Sequence, residues 1–482
     1  MDTPLILMLL LGAVALFTPV LEGIFKGEMR GKFSGHLAVA TLLLAILLVI
    51  YQPLTSPLDL TASSSGLFRN DLMGLFFALA VLIVALLVAV SSLDYMRGEP
   101  NEPVYYSLLL FSALGMSLLA FSVDLIMIAV AWELMSIPTY ILTGFRKKDS
   151  KSNEGALKFF IMGALSSGTI LYGISLIYGL TGSTNLFQIA EATSTITTGL
   201  YPVALLAMLL LIAGFGLKMS IVPFHMWIPD AYEGAPTTIS ALLSAGTKKA
   251  AFVVAIRVFV IALPVLQLNW ELTFAFLALI TMTLGNVAAL TQKTITRLLA
   301  YSSIAQAGYI LIGLTVALQT ELGLIGVLFH VFTHAVMQTG AFLAAAVVAK
   351  KIGRTHLDSY NGLGVRMPIT AFTFTISLLA LAGVPPLNGF WSKLVLFTAA
   401  IDGGYTWLAV AGVLNSAFSL GYYAWIIKRM YIDEGETVSR VHEPIAFNMV
   451  LLSAMGIIVV TGIYPAPIYE FARLAVAALG IV

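Results

Sequence analysis

Apolar runs of about 17 to 25 residues, each long enough to cross the hydrocarbon core of a bilayer as a helix, recur along this whole chain and are separated by short polar joints. They cover approximately residues 4–24, 35–51, 71–93, 104–122, 125–145, 155–180, 203–228, 237–262, 272–291, 296–317, 323–348, 368–398, 405–427 and 445–464, fourteen in all. Backbone in lipid must satisfy its own hydrogen bonds, and runs of this length do so as helices. Composition agrees: 59% of residues are hydrophobic, 10% are charged, and mean hydropathy is +0.97. The expected fold is an all-α polytopic membrane protein, a single membrane domain over 1–482. The first span follows Asp2 instead of a basic segment, so it is read as a retained helix and not a cleaved leader.

The charges sort by side. Of twenty-five Lys and Arg, seventeen fall in joints that follow odd-numbered spans. Two, Arg69 and Arg473, fall in the other joints and the tail. Under the positive-inside rule both termini then face outward.

The remaining six basic residues lie inside spans: Lys158, Lys218, Lys248, Lys249, Arg257 and Lys393, together with one central carboxylate, Glu133. Each charge placed in hydrocarbon costs about 2.5 to 3.5 kcal/mol on insertion scales, so a row of them points to a proton or ion path through the bilayer. Snorkelling at helix ends is the plainer reading, and it applies best to Lys158, one turn into its span; the other reading makes Lys158 a relay between Glu133 and Lys218. Glu133 needs a cationic partner, and Lys218 is the candidate; disturbing such a pair is a switch. Lys248 and Lys249 are adjacent and point about 100° apart, so at most one of them faces the same polar seam. Arg257 does not give up its proton, which assigns it a structural or field-setting role.

Two spans are interrupted in the same manner. GFGLKMSIVPFHMWIPDAYEGAP and LAGVPPLNGFWSKLVLF each place a lysine beside Gly and Pro in an apolar run. Membrane chains tolerate such breaks where backbone lines a cavity or is buried in protein, and paired breaks in corresponding halves indicate an inverted-repeat transporter. His225 lies at the first break. His330 and His334, four apart in FHVFTHAVMQTGAF, share a helix face with Gln338, which suits a hydrogen-bonded proton relay. No third ligand accompanies them, so no metal site is expected.

The segments WELMSIPTYILTGF, ALKFFIMGALSSGTILYGISLIYGLTGSTNLFQIA, GLKMSIVPFHMWIPDAYEGAPTTISALLSAGTKKAAF, LLAYSSIAQAGYILIG and GVPPLNGFWSKL resemble the antiporter-like membrane subunits of the complex I superfamily. Nearly the whole chain is covered. Within the superfamily it looks most like the N-type subunits of NADH:quinone oxidoreductase and their archaeal reduced-deazaflavin counterparts. The resemblance implies about fourteen helices with two inverted five-helix repeats, helices 4–8 (104–262) and 9–13 (270–427). These are flanked by 1–103 and 428–482, and helices 7 and 12 are discontinuous. It also implies roles: Glu133 pairing with Lys218, Lys248 as central relay, Lys393 serving the outer half-channel, and Lys158 as an additional lysine. Lys393 favours the N type over the M type, whereas FHVFTHAVMQTGAF resembles the histidine-rich helix of the L type and of cation antiporters.

The expected function is therefore proton translocation as a non-redox subunit of a respiratory oxidoreductase in a bacterial or archaeal plasma membrane. The chain has no cysteine, so no thiolate-held iron–sulfur cluster or disulfide. Flavin and iron–sulfur clusters are expected on partners: other membrane subunits and a peripheral redox arm reducing a quinone-type acceptor. Lipid is an expected partner, and a net charge of +1 gives no reason to invoke nucleic acid. A subunit of a multi-subunit cation/proton antiporter and a stand-alone secondary transporter are the alternatives.

Overall fold

The computed structural model describes residues 3–20, 28–55, 66–197, 199–435 and 440–480; the expectation for Lys26 and the two extreme ends lie outside them. Among the described residues the long elements are all helices, and strand pairing is limited to isolated bridges. Among the described residues twelve helices are long and apolar enough to cross a membrane. In chain order the first seven are α1 (Thr3–Phe17), α2 (Glu28–Thr55), α3 (Leu72–Tyr95), α4 (Glu102–Phe121), α5 (Leu125–Thr143), α6 (Ser150–Thr181) and α7 (Tyr201–Met219). Local chemistry starts several of them. Asp71, Asp124 and Asp149 accept backbone N–H groups at the first turns of α3, α5 and α6.

The next expected span, α8, is helical over 237–262 but opens into wider π turns at Leu243–Thr247 and Ile256–Ala262. Then come α9 (Gln267–Leu290), α10 (Ile295–Thr315) and α11 (Glu321–Ile352). The expected span 368–398 is split into α12 (Pro368–Ala382) and α13 (Asn388–Asp402), followed by α14 (Thr406–Tyr431) and α15 (Ile445–Ile463).

Both expected breaks are present. The helix expected to reach residue 228 ends at Met219, and the chain turns through 220–227 before a short helix at Ile228–Gly234. The second break occupies 383–387. Gly383, at φ +87, opens it, and a Cβ there would stand 3.2 Å from the Lys393 side chain, so glycine is required twice over.

The chain crosses back and forth in register with the charge pattern. At one end the joints after odd-numbered spans meet: Arg146 pairs with Glu99 at 3.4 Å, Arg297 with Asp230 at 2.6 Å, and Arg429 with Asp358 at 2.6 Å. At the other, Arg69 N donates to Phe121 O at 2.8 Å and Leu186 N to Val123 O at 3.0 Å. Helix α11 is enclosed along its membrane stretch and α10 nearly so, whereas α6 and α14 keep broad apolar outer faces. A helix apolar all round is one that neighbours surround, and α11 carries both histidines into the centre.

Candidate functional site

Lys218 sits in the last turn of α7, just before the first break. Its Nζ donates to Ser136 Oγ of α5 at 3.0 Å and lies over the rings of Phe159 (4.5 Å) and Tyr140 (5.0 Å). Trp227, returning across the break, stacks on Phe159 at 4.1 Å and donates its indole N–H to Leu217 O at 3.2 Å. The buried ammonium is thus held by one hydroxyl and two π faces, each face contributing about 2 kcal/mol when water is excluded.

The direct Glu133–Lys218 pair is not formed. No ion pair joins them within 4.0 Å among the described residues; Glu133 instead accepts a hydrogen bond from Ser167 of α6. It is half-buried and lines a 370 Å³ cleft between α5 and α6. Ser136, three residues beyond Glu133 on the same helix face, stands where the carboxylate was expected.

Lys158 is a second correction. Its side chain is 45% exposed and is tied to Glu154 and Asp230, each at 2.6 Å, so it is an interfacial ion-paired group and does not stand between Glu133 and Lys218. Asp230 also accepts from Arg297 at 2.6 Å. Burial alone would raise the Asp230 carboxyl, but the hydrogen bonds from Lys158 and Arg297 outweigh it and hold the group below the ordinary carboxylate range.

Lys248 and Lys249 follow the first π turn of α8, a helix distortion often found at functional sites. Both are buried with polar partners. They diverge in direction. Lys248 donates to Ser303 O and Oγ of α10, both at 2.8 Å, whereas Lys249 reaches His334 Nδ1 on α11. Geometry therefore brings Lys249 to the histidines and Lys248, the central relay that the resemblance implies, to Ser303.

From His334 the polar seam continues. The rings of His334 and His330 lie 6.0 Å apart and nearly parallel. His330 Nδ1 meets Ser392 Oγ at 2.9 Å, and its Nε2 meets Gln306 Oε1 at 3.1 Å. Gln306 Nε2 in turn donates to Leu381 O at 2.9 Å, beside the second break. Lys393 Nζ donates to that same carbonyl at 2.8 Å, to Ala382 O at 3.2 Å and to Ser416 Oγ at 2.9 Å, and lies 4.6 Å from the centre of the Tyr309 ring. All three ammonium donors are used, two on carbonyls that the end of α12 leaves free. A cation at a helix C-terminus is also favoured by the aligned peptide dipoles.

Gln338 is buried on α11 and donates to Leu299 O at 3.1 Å, not to His334, so it stands beside the seam. His225 is buried at the first break. Arg257 is fully buried and makes a two-armed contact with Asp71 (2.8 and 3.0 Å) while donating to Ala120 O at 3.0 and 2.6 Å. It fastens α8 to the start of α3 and the end of α4.

Sequence reasoning missed Gln306, Ser136, Ser303 and Asp71. Gln306 was visible in principle, an amide near the middle of LLAYSSIAQAGYILIG. Serines are too frequent in membrane helices to stand out.

Residues 122–419 match the NADH:quinone oxidoreductase/Mrp antiporter transmembrane family. Over 95% of its length the chain is 42% identical to F(420)H(2) dehydrogenase subunit N of Methanosarcina mazei, of which it covers 95%. Over 84% it is 42% identical to NADH-quinone oxidoreductase subunit N of Trichlorobacter lovleyi, covering 84% of that protein. Among solved structures it is similar to a chain of the archaeal membrane-bound sulfane sulfur reductase, with TM-score 0.89 and 28% identity over 99% of this chain and 97% of that one. A chain of respiratory complex I from Thermus thermophilus matches with TM-score 0.80 and 29% identity over 96% and 98%. A chain of the Mrp complex from Dietzia shares the fold, with TM-score 0.87 at 21% identity over 99% and 97%. By sequence, fold and the buried seam together, the chain belongs to the NADH:quinone oxidoreductase/Mrp antiporter family, as an antiporter-like membrane subunit of the N type.

Proposed function

We propose that this subunit translocates protons within a redox-driven membrane complex, while electrons pass through partner subunits to a quinone-type acceptor. One observation carries the reading. Ionisable and hydrogen-bonding side chains run from Lys249 through His334, His330 and Gln306 to the carbonyl shared with Lys393, across the two halves of an apolar bundle. Histidine and lysine both take up and release protons, and amide and hydroxyl groups orient them between such groups.

In the proposed cycle a charge change at a neighbouring membrane subunit acts on Glu133, which faces a cleft, and through Ser136 and the aromatic cage on Lys218. Lys218 passes its proton inward to the Lys248–Lys249 pair, with water spanning the steps longer than a hydrogen bond. The histidines carry it to Lys393, which releases it on the outer side. Spans 104–262 and 270–427 serve as the two inverted repeats. Both termini face outward across a bacterial or archaeal plasma membrane, and flavin and iron–sulfur clusters reside on the peripheral partners.

The test is Lys218→Met in the native complex, reconstituted in vesicles with electron transfer and proton uptake measured together. Loss of pumping in an assembled complex supports the reading. Unchanged pumping and electron flow would reduce the chain to a scaffold, and sodium-coupled exchange without any redox substrate would favour a cation/proton antiporter.

A further inference from the structure

Helix α12 begins without a capping side chain of its own. Met367 precedes it and makes no side-chain hydrogen bond to the first turn, so the free N–H groups there need an acceptor from elsewhere. Glu443, in the segment leading into α15, supplies one. Its buried carboxylate accepts from Ile369 N at 3.2 Å, from Thr370 N at 2.8 Å and from the Thr370 hydroxyl, across 74 and 73 residues of chain. The backbone fastens the same segment, with Val441 N donating to Arg366 O at 2.9 Å. The far end of α15 grips the far end of the second break. Asn388 Nδ2 donates to Thr461 Oγ1 at 3.1 Å, and Trp391 Nε1 donates to Gly462 O at 2.8 Å. Glycine is needed at 462 for this approach, because a Cβ there would stand 2.8 Å from Asn388 N and press on Pro386 O.

The break leaves α12 and α13 without a continuous ladder of backbone hydrogen bonds to fix one against the other. Helix α15 runs unbroken beside them for nineteen residues, about 28 Å, and is tied to the start of α12 and to the first turn of α13. We propose that Glu443 is a positioning residue for Lys393. With α15 as a splint it sets how far α12 advances and how it is rotated, and so where Leu381 O and Ala382 O meet Lys393 Nζ, at 2.8 and 3.2 Å, and where Leu381 O meets Gln306. An anion at the start of a helix and a cation at its end both suit the peptide dipoles, but that attraction falls off within a turn, so Glu443 acts through position and not through its field. The consequence for proton release rests on the reading of Lys393 as the outer end of the seam.

Glu443→Ala in the intact complex tests this, with backbone hydrogen exchange across 383–387 and protons taken up per electron transferred measured on one preparation. Losing the cap should speed that exchange about fivefold and lower the proton ratio by a similar factor. Glu443→Gln keeps the length of the side chain and an acceptor oxygen, and is expected to stay near the parent. Glu443→Asp keeps the charge but falls one methylene short, and is expected to resemble Glu443→Ala. The reverse ranking of these two milder variants overturns the proposal, because charge and not position would then matter, and it remains decisive if Glu443→Ala does not assemble. Less assembled complex, with exchange and proton ratio at parent values in what remains, also overturns it, since a cap that only stabilised α12 would do no more. Faster exchange with an unchanged proton ratio keeps Glu443 as the positioning residue and removes Lys393 from the proton path.

Discussion

Gln306 and Lys393 donate to the same backbone oxygen, Leu381 O, at 2.9 and 2.8 Å, although they lie 87 residues apart on α10 and α13. That carbonyl is exposed to them because α12 ends there; an unbroken helix would have engaged it internally. The break therefore creates the acceptor that joins the histidine side of the seam to the terminal lysine. Gln306→Leu keeps the volume and removes both hydrogen bonds. Proton uptake should fall about tenfold, the effect of roughly 1.4 kcal/mol, with the complex still assembled. Uptake at the unaltered rate would show that protons reach Lys393 by another route.

Lys249 and Lys248 should be unequal. Lys249→Met removes the partner of His334 and is expected to abolish coupled proton uptake, whereas Lys248→Met leaves the Lys249–His334 contact in place and should retain a measurable fraction. Paired measurements of electron transfer and vesicle acidification distinguish them, and the reverse ranking would restore Lys248 as the central group.

Gly383→Ala should displace Lys393. A left-handed residue with a Cβ costs about 1–2 kcal/mol, and the added methyl presses on the lysine stem at 3.2 Å. Expected are a lower melting temperature and weakened pumping; a variant that melts and pumps like the parent would sink this account of the break.

The Arg257–Asp71 contact predicts an asymmetric mutant cycle. Asp71→Ala strands a buried guanidinium and should cost about 3–5 kcal/mol, whereas Asp71→Leu combined with Arg257→Met replaces the pair by apolar volume and should recover most of that loss. Denaturant titration of the purified complex measures both. If the double variant is no more stable than the single, the pair has a role beyond neutralising its own charges.

Asp230 supplies a pH dependence. Its carboxyl titrates below the ordinary value of 3.8 in the folded chain because Lys158 and Arg297 hold the ionised form. Its contribution is then present above the unfolded value and is lost as pH falls through the lower folded one. Asp230→Asn should be less stable than the parent at neutral pH, and the difference should shrink on acidification below about 4. A gap in melting temperature that stays constant across this range would show the loss to be one of packing.

The sequence by itself determined the spans, the two breaks and the identity of the groups inside the bilayer. Hydrocarbon selects long apolar runs, proline and glycine end helices locally, and a charge in such a run is conspicuous against its neighbours. Thus the breaks at 220–227 and 383–387 were legible, as was the presence of Lys218, Lys248, Lys249, His330, His334 and Lys393 inside apolar runs, but not which of the adjacent lysines meets the histidines. Tertiary structure alone decided their partners. Lys218 meets Ser136, 82 residues away, instead of Glu133; Lys249 meets His334 across 85 residues; Arg257 finds Asp71 across 186. Lys158 turns outward to Asp230. Such choices depend on the rotation of each helix about its axis and on which helix lies beside it. The two π turns of α8 shift that rotation within the element bearing Lys248, Lys249 and Arg257, and a hydropathy pattern apolar on every face does not encode it.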